Sequence, residues 1–125
     1  MFKGLRTTIY QVPDIDQGKR WYGAAFGVMP YFDQPFYVGF NIGGYELGLQ
    51  ADAPTASVTE NVVAYWGVED VDAALAHLVT QGASLHSAAQ DVGQGIRVAS
   101  VRDPFGNVIG IIQNPHFGGA TGPGA

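Results

Sequence analysis

The sequence predicts an α+β protein built from two tandem βαβββ modules. Two internal similarities carry this prediction: residues 12–16 (VPDID) resemble residues 68–72 (VEDVD), and residues 44–49 (GYELGL) resemble residues 106–111 (GNVIGI). Both pairs occur in the same order and beside the same strand-like and helix-like runs. Such a repeat indicates a duplicated supersecondary unit.

The first module is expected over about residues 4–51. A strand-like run over residues 5–12 leads into a helix-like run over residues 17–26, and Gly27 then supplies a common type of helix stop. Aspartates precede the helix, where a short carboxylate can accept hydrogen bonds from the first free backbone N–H groups. Three further strands are predicted at residues 29–33, 37–42 and 44–49.

The second module is expected over about residues 61–115 and follows the same order. A strand is predicted at residues 62–68 and a helix at residues 73–81, ended by Gly82. Three further strands are predicted at residues 84–88, 96–101 and 106–111.

The whole chain, residues 1–125, is expected to be one domain. A linker is predicted over about residues 52–60 and a flexible, glycine-rich tail over residues 116–125. A chain of 125 residues is long enough to bury a single core.

Composition excludes several classes of partner. With a net charge of −5, the chain has no basic stripe to neutralise nucleic-acid phosphates. No apolar run approaches the roughly 20 residues of a membrane span.

The first residues lack the apolar core of a secretory signal, which favours the cytoplasm. The absence of cysteine excludes disulfides and thiolate chemistry.

The repeated motif and one turn together resemble a known family. A strand leads into Val-x-Asp-[Ile/Val]-Asp, then a helix with Trp21-Tyr22, and the turn at residues 103–107 (DPFGN) precedes a last strand. This combination resembles the vicinal oxygen chelate superfamily of glyoxalase I, bleomycin resistance proteins and extradiol dioxygenases, over about residues 4–115. The resemblance implies that the two modules form half-barrel sheets around a cleft. It also implies that the cleft binds a small organic molecule and that the protein is a homodimer.

The resemblance also implies where a metal would be held. Metal enzymes of this superfamily take one ligand from the first strand and one from the last strand of each module. In this chain those positions are Thr7, Gly48, Val63 and Gly110. Glycine and valine have no donor atom and threonine is a poor ligand for a divalent cation, so we expect no metal and no cofactor.

Strand alternation identifies candidate ligand-binding residues. The face of Thr7 also carries Ile9 and Gln11, and the face of Gly48 carries Glu46 and Gln50. Tyr10 and Trp66, on the opposite face, are expected to pack under the helices. The predicted ligand-binding set is Thr7, Ile9, Gln11, Tyr37, Glu46, Gln50, Tyr65 and Arg97.

Two features leave alternatives open. The aromatic-rich segment 31–40 could line the cavity, fill the core or form the dimer interface. Arg97 and Arg102 are expected on opposite faces of their strand. One of them could pair with an anionic ligand or with Glu46, or both could be solvated.

The favoured hypothesis is a metal-free protein that binds an aromatic or amphipathic small molecule, with no catalytic residue assigned. The alternative is a metal-dependent lyase, isomerase or dioxygenase with ligands at unusual positions such as Glu46 and His86. The three histidines, His77, His86 and His116, lack the spacing of a shared metal site. A metal-free enzyme with Glu46 or a tyrosine as general base is a third possibility.

Overall fold

The computed structural model describes residue 1, residues 3–51 and residues 63–116. The predicted linker and almost all of the predicted tail lie outside these ranges. The described chain forms two four-stranded mixed sheets, each with one helix packed on one face. Neither helix of the described chain is long and apolar enough to cross a membrane.

The first module has the predicted βαβββ order. Its elements are β1 (Thr7–Val12), α1 (Ile15–Phe26), β2 (Phe32–Gln34), β3 (Tyr37–Ile42) and β4 (Tyr45–Ala51). The strands are arranged β1-β4-β3-β2, with β1 and β4 parallel and the other neighbours antiparallel.

The second module repeats this arrangement. Its elements are β5 (Tyr65–Gly67), α2 (Val71–Thr80), β6 (Ser84–Asp91), β7 (Arg97–Arg102) and β8 (Val108–Gln113). The strand order is β5-β8-β7-β6, again with the first pair parallel. The predicted fold class is therefore confirmed.

Both helices begin two residues earlier than predicted because of the same cap. The carboxylate of Asp14 accepts hydrogen bonds from the backbone N–H groups of Asp16 and Gln17 at the start of α1. Asp70 does the same for Asp72 and Ala73 at the start of α2. Side-chain acceptors at these positions satisfy N–H groups that have no partner within the helix.

The bounds of β2, β5 and β6 differ from the prediction, because pairing with a neighbouring strand decides where each strand begins and ends. β2 begins only at Phe32, since Pro30 has no N–H to offer a strand partner. β5 is shorter than predicted, and β6 extends to Asp91 with irregular pairing against β7.

The core lies between the helices and one face of each sheet. Tyr22 of α1 is fully buried, and Trp66 donates a 3.0 Å hydrogen bond from Nε1 to the hydroxyl of Tyr10. The prediction that Tyr10 and Trp66 pack under the helices is confirmed. Other side chains that are fully buried from solvent are Val12, Phe40, Leu47, Leu49, Val71, Val101 and Ile109. Neither helix of the described residues packs on the opposite face of either sheet.

Candidate functional site

The helix-free face of the first sheet carries six of the predicted ligand-binding residues. The register of β1 on β4 places Thr7 beside Glu46, Ile9 beside Gly48, and Gln11 beside Gln50. Nε2 of Gln11 donates a 2.8 Å hydrogen bond to Oε1 of Gln50. Residues paired directly across strands point to the same side of the sheet. The residues that share this face are Thr7, Ile9, Gln11, Tyr37, Glu46 and Gln50.

A carboxylate held by two tyrosines lies on this face. The hydroxyl of Tyr37 donates a 2.5 Å hydrogen bond to Oε2 of Glu46, and the hydroxyl of Tyr31 donates to Oε1. Tyr31 is held just before β2 by a hydrogen bond from its backbone N–H to the carbonyl of Gly39. Residue-by-residue sequence analysis did not select Tyr31, although it lies in the aromatic-rich segment.

Further aromatic rings extend from this carboxylate toward the edge of the sheet. The ring of Phe32 lies 6.1 Å from that of Tyr37 and 6.3 Å from that of Phe36. Phe32 and Phe36 are 40% and 69% exposed, whereas Phe40 is fully buried in the core. The aromatic segment thus divides into exposed and buried rings, as strand alternation requires. Burial raises the pKa of the Tyr37 hydroxyl.

Two tyrosine rings lie directly over the glycines that occupy metal-ligand positions of the superfamily. A side chain at Gly48 would overlap the ring and hydroxyl of Tyr37. A Cβ at Gly110 would lie 2.6 Å from Cδ1 of Tyr65 and 2.8 Å from the carbonyl oxygen of Ala64. Glycine at both positions leaves room for a ring that fills the space a side chain would enter.

The residues present do not fit a divalent metal. Of the four family positions, three are glycine or valine, and Thr7 offers only an exposed hydroxyl. Within the described ranges, no group of three or more histidines, aspartates or glutamates could hold an ion. The alternative ligand set built on Glu46 and His86 therefore lacks a third protein donor from that part of the chain.

The three histidines lie in separate places. Nε2 of His77 lies 2.9 Å from the carbonyl oxygen of Ala25, joining α2 to the end of α1. Nδ1 of His86 lies 2.8 Å from Oγ of Ser100, and Nε2 of His116 lies 2.9 Å from the carbonyl oxygen of Gln94.

The second sheet contributes an open cavity of about 530 Å³. Tyr65, a predicted ligand-binding residue, lines it and is 50% exposed. This volume falls within the range of roughly 300–1,000 Å³ found for small-molecule sites. The other lining residues are Gly67, Val68, Glu69, Ile112 and Asn114.

Arg97 lies away from both helix-free faces. Its Nη1 is 2.7 Å from Oδ2 of Asp72, in the first turn of α2, so the side chain is on the helix-bearing side of β7. The hydrogen bond from Arg97 lowers the pKa of Asp72, and Asp72 in turn raises the pKa of Arg97. The expectation that Arg97 lines the cleft was wrong because residue alternation along β7 directs it toward α2.

Two tandem βαβββ modules are the arrangement of glyoxalase-type proteins. The sequence matches the Glyoxalase/Bleomycin resistance protein/Dioxygenase superfamily over residues 4–111, and the chain belongs to this family. A search of curated proteins finds no significant match.

Solved structures share the fold at low sequence identity. A glyoxalase-related enzyme from Fulvimarina pelagi is 22% identical with a TM-score of 0.76, and the alignment covers 98% of this chain and 96% of that one. Lactoylglutathione lyase from Agrobacterium tumefaciens is 16% identical with a TM-score of 0.72, covering 95% and 99%. The fosfomycin resistance protein FosX from Mesorhizobium loti is 15% identical with a TM-score of 0.71, covering 91% and 94%.

Proposed function

We propose that this protein binds an aromatic or amphipathic small molecule without a metal ion, as a member of the glyoxalase/bleomycin resistance type. The observation that carries the proposal is the position of the Tyr37 and Tyr65 rings over Gly48 and Gly110. Where metal enzymes of the superfamily have ligand side chains, this chain has aromatic rings. The faces on which Gly48 and Gly110 replace metal ligands are therefore suited to an organic ligand.

The composition of the helix-free face supports an aromatic ligand. Phe32, Phe36 and Tyr37 provide flat apolar area, and the tyrosine hydroxyls and the Gln11–Gln50 pair provide hydrogen-bonding groups beside it. Binding sites for small molecules commonly combine a mainly apolar lining with a few polar groups that orient the ligand. Aromatic side chains contribute this area at low cost in conformational entropy.

We further propose that the protein acts as a homodimer. Ile9 and Tyr65 lie on the helix-free faces and remain 45% and 50% exposed in the single chain. A second copy that covers these faces would remove the side chains from water and enclose the ligand site. Light scattering coupled to size-exclusion chromatography tests this: a monomer at micromolar concentration contradicts the dimer but leaves ligand binding open.

The binding proposal is tested with ¹H–¹⁵N correlation spectra of the protein and a panel of aromatic and amphipathic compounds. Binding compounds should shift the backbone resonances of β1, β3 and β4 and spare those of α2. Tyr37→Ala should weaken binding at least tenfold, whereas Tyr45→Ala, on β4 outside the predicted set, should not. A panel without a single binder, or shifts confined to the helices, contradicts the proposal.

A further inference from the structure

We propose that the ligand is an organic ammonium cation, and that Glu46 is its counter-ion on the helix-free face of the first sheet. This inference rests on the proposed function and assigns the charge of the ligand. Its basis is the placement of a half-buried carboxylate among exposed aromatic rings, with no salt bridge to a lysine or an arginine among the described residues.

None of the salt bridges seen among the described residues joins Glu46 to a lysine or an arginine. Arg6, whose carbonyl accepts a hydrogen bond from the backbone N–H of Glu46, directs its guanidinium to the carbonyls of Lys3 and Leu5.

The sequence has six lysines and arginines, and all six fall within the described ranges. Lys19 pairs with Asp33, and Arg97 pairs with Asp72. The partners of the Glu46 side chain among the described residues are the hydroxyls of Tyr31 and Tyr37. The Glu46 carboxylate is therefore held in place by two neutral hydrogen-bond donors.

The two hydroxyls leave the carboxylate able to accept more hydrogen bonds. An ionised carboxylate has about four acceptor sites, and each oxygen of Glu46 uses one of them for a tyrosine. Thr7 is paired beside Glu46 in the register of β1 and β4, and its side chain is exposed to solvent. The free acceptor sites can thus receive the N–H groups of a protonated amine.

The surrounding rings favour a cation for a second reason. Tyr31 contacts Glu46 directly, Phe32 lies beside Tyr37, and Phe36 lies beside Phe32. These three rings are 63%, 40% and 69% exposed, so each is accessible to solvent. The face of an aromatic ring carries negative electrostatic potential and attracts ammonium groups within about 6 Å. Carboxylate and rings together select a positively charged head group attached to an apolar body. A carboxylate ligand would instead be repelled by Glu46.

Four compounds with the same ring test the charge assignment. They are 2-naphthylmethylammonium, (2-naphthylmethyl)trimethylammonium, 2-naphthylmethanol and 2-naphthoate, each titrated by calorimetry into the full chain. The protonated amine should bind at least tenfold more tightly than the alcohol, and the naphthoate should bind most weakly. The trimethylammonium compound distinguishes hydrogen bonding from charge: it should lie between the amine and the alcohol.

Glu46→Gln removes the charge and keeps the shape of the side chain. In this variant the affinity for the amine should fall to that for the alcohol, while the affinity for the alcohol stays within about twofold of the wild-type value. Asp16→Asn is the matched control, because it also removes one carboxylate charge, from the exposed first turn of α1, and it should retain the preference for the amine.

The outcomes separate the two proposals. Equal affinities for amine and alcohol in the wild-type protein, or loss of the preference in Asp16→Asn alone, refute the ammonium assignment while small-molecule binding stands. A Glu46→Gln variant that loses dimerisation and keeps the preference also refutes it, since Glu46 then serves the interface. If neither these compounds nor the wider panel bind, the proposed function itself fails.

Discussion

The hydroxyl of Tyr22 on α1 donates a 2.5 Å hydrogen bond to Oδ2 of Asp103, in the turn between β7 and β8. Asp103 is buried, and its carboxylate also accepts from the backbone N–H groups of Phe105 and Asn107 and from Nδ2 of Asn107. Nδ2 of Asn107 donates as well to the carbonyl of Gln11 in β1. The turn that helped to identify the superfamily therefore joins the two modules.

Tyr22→Phe is expected to destabilise the protein by about 1.5–3 kcal/mol, the usual contribution of a hydrogen bond to a charged group. The substitution leaves the buried carboxylate of Asp103 with one donor fewer. The free energy of unfolding from urea denaturation measures the effect. Tyr45→Phe is the control, since no hydroxyl hydrogen bond is seen for Tyr45 within the described chain, and it should change stability by less than about 0.5 kcal/mol. Equal effects of the two substitutions would show that the contact contributes nothing.

Alanine at the two ring-covered glycines should have unequal effects. Gly110→Ala meets a backbone carbonyl as well as the Tyr65 ring and should cost about 1–3 kcal/mol. Gly48→Ala meets only the ring of Tyr37, which can swing aside, so it should cost less but displace the hydroxyl from Glu46. Chemical denaturation gives the ranking.

The control for these substitutions is Gly67→Ala. Its added methyl group meets no atom of the described chain within 4 Å, and Gly67 lacks a positive φ. It should be neutral or slightly stabilising, by up to about 1 kcal/mol. A Gly110→Ala variant as stable as Gly67→Ala would contradict the close packing of Tyr65.

Stability should fall as pH rises above 10. Burial raises the pKa of Tyr10 to about 12, and burial raises the pKa of Tyr22 well above its ordinary value. Unfolded tyrosine titrates near pH 10, so between about pH 10 and 12 the native state retains protons that the unfolded state has lost. Each such tyrosine should lower the free energy of unfolding by about 1.4 kcal/mol per pH unit.

Urea denaturation at pH 9, 10 and 11 tests this slope. Tyr10→Phe should reduce it by roughly half, because one of the two buried hydroxyls is removed. Absorbance at 295 nm provides an independent measurement, since two tyrosines should ionise only on unfolding. A stability that is constant from pH 9 to pH 11 is incompatible with the buried hydroxyls.

Metal analysis tests the proposal that the protein holds no metal ion. Protein purified without chelator should contain no stoichiometric zinc, nickel, iron or manganese, and EDTA should leave the midpoint of thermal unfolding unchanged. The physical reason is that Gly48, Val63 and Gly110 offer no side-chain donor. One equivalent of a tightly bound metal per chain would disprove the metal-free proposal.

The sequence by itself determined the duplicated fold and the face on which most candidate residues lie. Repeated Asp caps, glycine stops and strand alternation are local signals, and they placed Thr7, Glu46 and Gln50 on one side of the sheet. Strand alternation also predicted that Arg97 and Arg102 face opposite ways. It could not indicate which of them faces α2, because the sheet's orientation toward a helix is a tertiary property.

Only the tertiary structure decided what each functional group contacts. Tyr31 is distant in sequence from Glu46, and their hydrogen bond depends on the pairing of β2, β3 and β4. The rings over the two glycines likewise come from neighbouring strands: Tyr37 of β3 covers Gly48 of β4, and Tyr65 of β5 covers Gly110 of β8. Contacts between strands follow from register and packing density, which no local pattern of residues specifies.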